Sequence, residues 1–251
     1  MKEKSEVTLC LDRIEGEVYR ELKGQGFRKH GRTLHRFVSG DISQVVNFQC
    51  GQSYRGETHL MWVNLGIRIP ECAERTFAPS APLKKYYQEY ECTLRSRLGS
   101  IDGREERCFD LRGDPAEILP EILGDLQRKV LPVFDLLSTR EAILAHRRDY
   151  PGFDIISRHL ILLDEAMIYG RLGEPEKARE RFDAYYRGAL ETFLDQENNG
   201  RKVYLKKGQR LVTGGQDITA GEDGYVTVYG GNRGHMEYLE ELAARLGFRG
   251  K

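Results

Sequence analysis

The chain has 251 residues, of which 39% are hydrophobic and 31% are charged, so it is long enough for one large domain or two modest ones around a hydrophobic core. Its 39 basic residues balance its 39 acidic residues, which argues against a protein that binds nucleic acid or an anionic membrane through overall charge. No apolar run approaches the roughly 20 residues that cross a bilayer, and residues 1–18 contain no apolar signal-peptide core. We therefore expect a cytoplasmic protein that does not contact a membrane.

Five cysteines are scattered through the sequence and never form a C-x-x-C pair. Most of them follow or lie within apolar patterns, which favours reduced thiols that fill the core. A zinc site needs closely spaced cysteine and histidine ligands, and the sequence has no such cluster. We therefore predict neither a metal site nor a cofactor. The five residues are Cys10, Cys50, Cys72, Cys92 and Cys108.

The N-terminal segment has apolar residues three or four positions apart, which is typical of one apolar stripe on an amphipathic helix. The helix is predicted from about Ser5 to Lys23, because two glycines follow it closely. Phe27 to Val38 is then predicted to form a bent strand or a pair of short strands, with Gly31 at the turn or bulge.

Two alternating runs come next, Ile42 to Cys50 and Met61 to Ile69. Apolar residues occupy one face of each run, and the second run has the cleanest apolar face in the chain, so we predict that it is a central strand. Another alternating run, Tyr90 to Arg95, and a short strand from Arg107 to Leu111 complete an antiparallel sheet of about five strands. The fold class is therefore predicted as α+β, with the N-terminal helix packed on the sheet.

The second half of the sequence has the start and stop signals of helices. Asp114 followed by Pro115 is a favourable helix start, and prolines at 120 and 132 predict a kink or break. We divide the chain into a sheet domain, residues 1–150, and a mostly helical part, residues 151–251, which is predicted to pack on it. The second part contains predicted helices at Ile155 to Leu172, Pro175 to Asp195 and Asn232 to Leu246, with a glycine-rich, β-like appendage at Gly200 to Gly231.

Three sequence segments, taken in order, carry a resemblance to a known family: GFRKHGRTLHRF from Gly26, QVVNFQ from Gln44 and VNLGIRI from Val63. With CTLRSRLG from Cys92, and a helix pair interrupted by proline, they resemble the bacterial family called domain of unknown function 4304. The resemblance covers about residues 6–149. It implies no catalytic residue and no substrate. Members are often small cytoplasmic bacterial proteins, and some are similar in style to the immunity proteins of toxin–immunity systems.

The best candidate site is the polar face of the predicted sheet. An amide- and arginine-lined face with one tryptophan suits a protein-binding platform, although the same side chains could instead satisfy neighbouring backbone or a covering helix. The sequence also lacks the common nucleophile, phosphate-loop and metalloprotease motifs. We therefore predict a non-enzymatic module that binds another protein through this face or through the glycine-rich appendage. The candidate residues are Asn47, Gln49, Trp62, Asn64, Arg95 and Arg97.

The alternative is an enzyme or a small-anion-binding domain. Arg28, Arg32 and His35 could grip a phosphate or carboxylate, because guanidinium groups match the geometry of such anions. The same residues are also consistent with a solvated edge strand whose charges block pairing with another chain. The spacing of five between His30 and His35 predicts opposite faces of one strand, which argues against a shared metal ion.

Overall fold

The computed structural model describes residues 4–51, 59–79, 84–101, 107–153, 158–213 and 216–248. It divides into two compact units, Met1–Leu172 and Gly173–Lys251. The helices of these ranges are α1 (Glu6–Lys23), α2 (Pro70–Glu74), α3 (Pro115–Asp125), α4 (Leu131–Leu136), α5 (Arg140–His146), α6 (Ile161–Arg171), α7 (Pro175–Asn198) and α8 (Arg233–Arg245). The strands are β1 (Arg28–His30), β2 (Thr33–Val38), β3 (Ile42–Gly51), β4 (Leu60–Arg68), β5 (Leu94–Arg97), β6 (Phe109–Asp110), β7 (Arg201–Leu205), β8 (Arg210–Thr213), β9 (Gln216–Thr219) and β10 (Gly224–Val228).

The first unit is built on one antiparallel sheet with the order β1-β2-β3-β4-β5, and β6 also pairs with β4. The prediction of an α+β fold with a central strand at Met61–Ile69 is confirmed, because β4 pairs with β3 along its whole length and with β5 and β6 on its other side. The turn at Gly31 is also confirmed. It separates β1 from β2, and Gly31 has a φ of +56°, which a residue with a side chain rarely adopts.

Helix α1 begins where the sequence predicts. Ser5 is the N-cap, and its hydroxyl accepts a hydrogen bond from the backbone N–H of Thr8 at 3.3 Å. The apolar stripe from Leu11 to Leu22 is buried, so the helix sits against apolar side chains. Burial of one such side chain stabilises a fold by about 1.5–3 kcal/mol, which explains why this marginally hydrophobic segment is helical.

The two faces of the sheet have different compositions because neighbouring residues of a strand point to opposite sides. We call the apolar side the core face. Its residues on β4 are Met61, Val63, Leu65 and Ile67, and each is at most 1% exposed. Its one fully buried amide on β3 is Gln44, which donates to the backbone carbonyl of Phe134 and so satisfies its polarity inside the core.

Close backbone approach fixes one position of β4. A Cβ placed on Gly66 would lie 2.6 Å from the sulfur of Cys92, so the side chain of Cys92 lies directly against the strand. Cys92 is 7% exposed, and burial raises the pKa of its thiol. All five cysteines are free, and Cys10, Cys72 and Cys92 are buried.

A layer of buried ion pairs joins α2 to α5 and α6. Glu71 has no exposed surface and accepts hydrogen bonds from Arg140 at 2.8 and 2.9 Å, while Arg140 also donates to Asp41 at 2.8 Å. Asp164 is equally buried and accepts from Arg75 at 2.6 Å and from Arg147 at 3.0 Å. Buried carboxylates of this kind are tolerated only when they are paired in this way.

The proline-containing helices end differently from the prediction. Pro120 lies within α3 and does not end it. A π-helical turn over Leu126–Val130 instead precedes Pro132, which lies at the start of α4. The helix start predicted at Ile155 lies outside the described residues, and α6 begins at Ile161.

The second unit contains the long helix α7, the helix α8 and two small antiparallel sheets. Strand β7 pairs with β10, and β8 pairs with β9. Its core includes Phe182 and Phe248, whose ring centroids are 5.3 Å apart. Strands β7 to β10 fall within the segment Gly200 to Gly231 that is predicted to be a β-like appendage, and the pairing of β8 with β9 adds a hairpin that the sequence pattern does not indicate. Within the described ranges, none of the helices combines the length and the apolar character that a bilayer crossing requires.

Candidate functional site

The side of the sheet opposite the core face carries polar side chains on five successive strands, and we call it the polar face. The register pairs Thr33 with Asn47, Asn47 with Asn64, and Asn64 with Arg97, so these side chains lie side by side across the sheet. Gln49 likewise lies opposite Trp62. The six residues proposed as a binding platform therefore share one face, as the alternation predicts. Whether they bind a partner stays a prediction.

A chain of hydrogen bonds runs across this face. Asn64 donates from Nδ2 to Gln49 Oε1 at 2.9 Å and to Asn47 Oδ1 at 3.2 Å. Asn47 in turn donates to Thr33 Oγ1 at 2.9 Å, and the hydroxyl of Thr33 donates to Gln88 Oε1 at 3.0 Å. From Asn64 through Asn47 and Thr33 to Gln88 each residue donates to the next, which lets these bonds strengthen one another, while the bond to Gln49 is a separate branch from Asn64.

Asn64 is the centre of this chain. It is only 4% exposed, whereas Asn47 is half-buried and Gln49 is exposed. A buried amide is tolerated in a strand because its donors are satisfied by neighbouring side chains. The hydrogen bond from the nearly buried Asn64 therefore fixes the position of the exposed Gln49 amide.

Trp62 and Arg97 form the edge of the amide chain. The Cζ of Arg97 lies 5.6 Å from the centre of the Trp62 ring, within the range of a cation–π interaction. Both residues are half-buried. Burial lowers the pKa of Arg97, and the neighbouring Arg95 cation lowers it further. A partly desolvated cation of this kind gains from an additional hydrogen-bond acceptor or negative charge brought by a partner.

Arg95 is already engaged within the chain. Its Nε donates to Glu89 Oε1 at 2.6 Å, and the side chains are 26% and 12% exposed. Arg95 therefore lies on the same face of β5 as Arg97 but donates a hydrogen bond to Glu89. Its contribution to a platform would be to hold the segment that carries Glu89 rather than to contact a partner alone.

The segment Lys84–Thr93, which we call the tyrosine segment, covers the other end of the polar face. Tyr86 stacks on His30 with ring centroids 3.9 Å apart and meets His35 edge-on at 4.9 Å. The Cζ of Arg68 lies 4.0 Å from the ring centre of Tyr87. This end of the face is closed by aromatic rings, while the end that carries Gln49 and Trp62 is more exposed.

The structure separates the residues of the alternative anion site. Arg28 and His35 are partners across β1 and β2, but Arg32 lies at the turn and pairs with Glu15 of α1 at 3.4 Å. Arg28 is exposed, whereas His35 is 2% exposed. Burial lowers the pKa of His35, and the nearby His30 and Arg28 charges lower it further. The anion-binding role itself stays a prediction.

The expectation that His30 and His35 point to opposite sides is wrong. The turn between them places them on two antiparallel strands, and both rings contact Tyr86 from the same side of the sheet. The period-two rule fails here because it applies only within one continuous strand.

Sequence reasoning missed three contributors to this face. Thr33 and Gln88 extend the amide chain, and Glu89 holds Arg95. Thr33 could have been found, because it shares the alternation of His35 on β2. Gln88 and Glu89 could not, because the segment that carries them has no strand or helix period. Among the described residues, no three His, Cys, Asp or Glu side chains come together as a metal site.

The fold and this face define an α+β domain with an amide-bearing sheet surface. Residues 18–136 match the family model described as domain of unknown function (DUF4304). The N-terminal part of the chain is therefore a DUF4304 domain, as the resemblance predicted, and the whole polar face from β1 to β5 lies inside the matched range. A search of curated proteins and a search of solved structures found no match to the chain.

Proposed function

We propose that the chain is a non-enzymatic, cytoplasmic protein that binds another protein. The partner contacts the end of the polar face that carries Gln49, Trp62 and Arg97, which we call the open end. The observation that carries this proposal is the fixed arrangement of Gln49, Trp62 and Arg97 at an exposed edge of the amide chain. The five free cysteines fit a reducing compartment.

The physical case rests on how interfaces gain affinity. Tryptophan and arginine are the side chains that most often dominate binding energy, and they do so when their position is fixed before the partner arrives. The position of Gln49 is fixed by a buried asparagine, and Trp62 and Arg97 restrain each other. The amides add hydrogen-bond donors and acceptors. A partner without complementary groups would leave them unpaired in the interface and would therefore bind more weakly.

The resemblance to immunity-like members suggests a class of partner. A toxin that is neutralised by a tightly bound protein would need a rigid surface of this kind, with acceptor groups or acidic residues facing Arg97. The proposal therefore commits to a protein partner whose contact surface is acidic or rich in hydrogen-bond acceptors.

The test is quantitative affinity capture from the native host lysate with three forms of the chain. The wild type is compared with a Gln49→Ala/Trp62→Ala variant and with a Tyr204→Ala/Tyr225→Ala variant. The tyrosines are a matched control, because both are exposed and lie edge-on at 5.2 Å on β7 and β10 of the second unit. Thermal denaturation of each form checks that it is folded.

We expect a partner that is depleted at least tenfold by the Gln49/Trp62 variant and retained by the tyrosine variant, since loss of interface anchors costs about 2 kcal/mol or more. The purified partner should then bind the wild type with a dissociation constant that rises by the same factor when Arg97 is replaced by alanine. If every captured protein is retained by the Gln49/Trp62 variant, the polar face is not the binding surface. If the tyrosine variant alone loses the partner, the glycine-rich appendage binds instead.

A further inference from the structure

A pocket of about 400 Å³ lies in the first unit, at the end of β4 that is remote from Trp62. It is formed by α2, by the end of the tyrosine segment and by the start of α6. Its size is within the usual range for a small-molecule site. Its lining includes the apolar surfaces of Ala73, Tyr90 and Leu160 and two arginines, Arg68 and Arg75.

Arg68 is the unusual member of this lining. It is only 6% exposed, and its guanidinium lies against the ring of Tyr87. Nη2 donates to Glu74 Oε1 at 3.0 Å, but the buried Nη1 has no hydrogen-bond acceptor. A buried charged donor without an acceptor destabilises the fold, so the site would gain free energy from an acceptor that reached it.

Glu74 supplies a carboxylate acceptor to Arg68 at the wall of the pocket. Its side chain is 28% exposed, and it holds Arg68 by one oxygen rather than by the paired arrangement that guanidinium and carboxylate favour. Glu74 is the last residue of the five-residue helix α2, and Arg75 after it has a φ of +52°. The end of this helix is therefore a short, conformationally strained segment at the wall of the pocket.

We propose that this pocket binds a small organic molecule through a single carboxylate. The carboxylate displaces Glu74 and accepts from both Nη atoms of Arg68, and the apolar walls cover the organic body of the ligand. One carboxylate is favoured over a phosphate, because Glu91 and Asp164 also line the pocket and repel a second negative charge. This site is distinct from the open end of the polar face and does not depend on the function proposed for it.

The probes are sodium benzoate and sodium propionate, with benzamide and propionamide as neutral controls of matched shape and sodium chloride at equal ionic strength. Thermal shift and calorimetric titration of the full chain measure binding. We expect a saturable shift with at least one acid and none with its amide or with chloride.

Three variants sharpen the test. Ala73→Trp fills the pocket from an exposed position and should abolish binding, whereas Ala78→Trp places the same ring at an exposed position outside the lining and should not. Glu74→Gln removes the competing carboxylate and should tighten binding about tenfold, because a neutral amide holds the Arg68 guanidinium less strongly than a carboxylate does. A gain of affinity cannot arise from misfolding.

The proposal is overturned if neither acid binds, if acid and amide bind equally, or if binding survives Ala73→Trp. It is also overturned if Glu74→Gln leaves the affinity unchanged or weakens it. Because these measurements involve no protein partner, their failure would leave the affinity-capture result untouched.

Discussion

The two faces of the sheet reach stability by different means. The core face of β4 is a row of apolar side chains with almost no exposure, and its contribution comes from removal of that surface from water. The polar face of the same strand holds Asn64 and Arg68, which are also nearly buried. Its stability depends on hydrogen bonds between polar side chains, such as those that Asn64 donates to Asn47 and Gln49. Burial alone therefore does not distinguish a face that packs apolar side chains from a face that pairs polar groups.

The largest effect is expected on the core face. Leu65 is fully buried between β3 and β5, so Leu65→Ala should lower the free energy of unfolding by about 2–5 kcal/mol through lost burial and a new cavity. Urea denaturation measures the change. Binding by any variant that still folds should be unaffected, and a loss below 1 kcal/mol would contradict the assignment of this face as the core.

A smaller effect is expected at the centre of the amide chain. Asn64→Ala leaves Gln49 Oε1 and Asn47 Oδ1 without their donor and should cost about 1–2 kcal/mol. The control is Gln49→Ala, which removes one of the two acceptors of Asn64 at an exposed position where water can replace it, and it should cost less than Asn64→Ala. Equal losses in the two variants, measured by urea denaturation, would show that Asn64 is not the residue that orders this face.

The smallest effect concerns pH and the closed end of the polar face. The pKa of His35 in the folded chain is below its ordinary value of 6.5, so the unfolded chain takes up a proton at a pH where the folded chain does not. The contribution of His35 to the free energy of unfolding should therefore be fully present above pH 6.5. It should be lost as the pH falls from 6.5 toward the lower pKa of His35 in the folded chain. Chemical denaturation between pH 7.5 and pH 5, in the approximate range where histidine titrates, follows this change.

His35→Gln supplies the control, because it keeps a polar side chain that does not titrate. We expect the acid-dependent loss to shrink in this variant. Glu15 acts in the opposite direction, since burial raises its pKa and its contribution is lost as the pH rises, but it is present in both proteins and cancels in the comparison. Identical pH profiles for the two proteins would exclude His35 as the source.

Much of this fold follows from the sequence because its signals are local. The amphipathic stripe of α1, the alternation of β3 and β4 and the turn at Gly31 each depend on residues that are neighbours in the chain. The shared face of Asn47 and Asn64 could be predicted for the same reason. What could not be predicted depends on residues that are far apart.

The tyrosine segment illustrates the limit. It is held to the sheet by ring contacts to His30 and His35 and by the hydrogen bond between Gln88 and Thr33, which are 55 positions apart. None of these contacts leaves a periodic trace in the sequence. The pocket beside Arg68 is equally non-local, because its walls come from α2, from the tyrosine segment and from the turn before α6. The local sequence pattern therefore predicts the polar face but not the segment that covers part of it.

The buried carboxylate of Glu71 is paired with an arginine that lies beyond the end of the family match. Its cation, Arg140, and the cation Arg147 that holds Asp164 both come after residue 136, where the match to the family model ends. A shortened chain that stopped at that residue would keep Glu71 in the interior and discard its counter-charge, a situation that costs about 3–5 kcal/mol when one partner of a buried pair is removed. The residues that neutralise the buried charge of Glu71 therefore extend beyond the stretch that the family model matches.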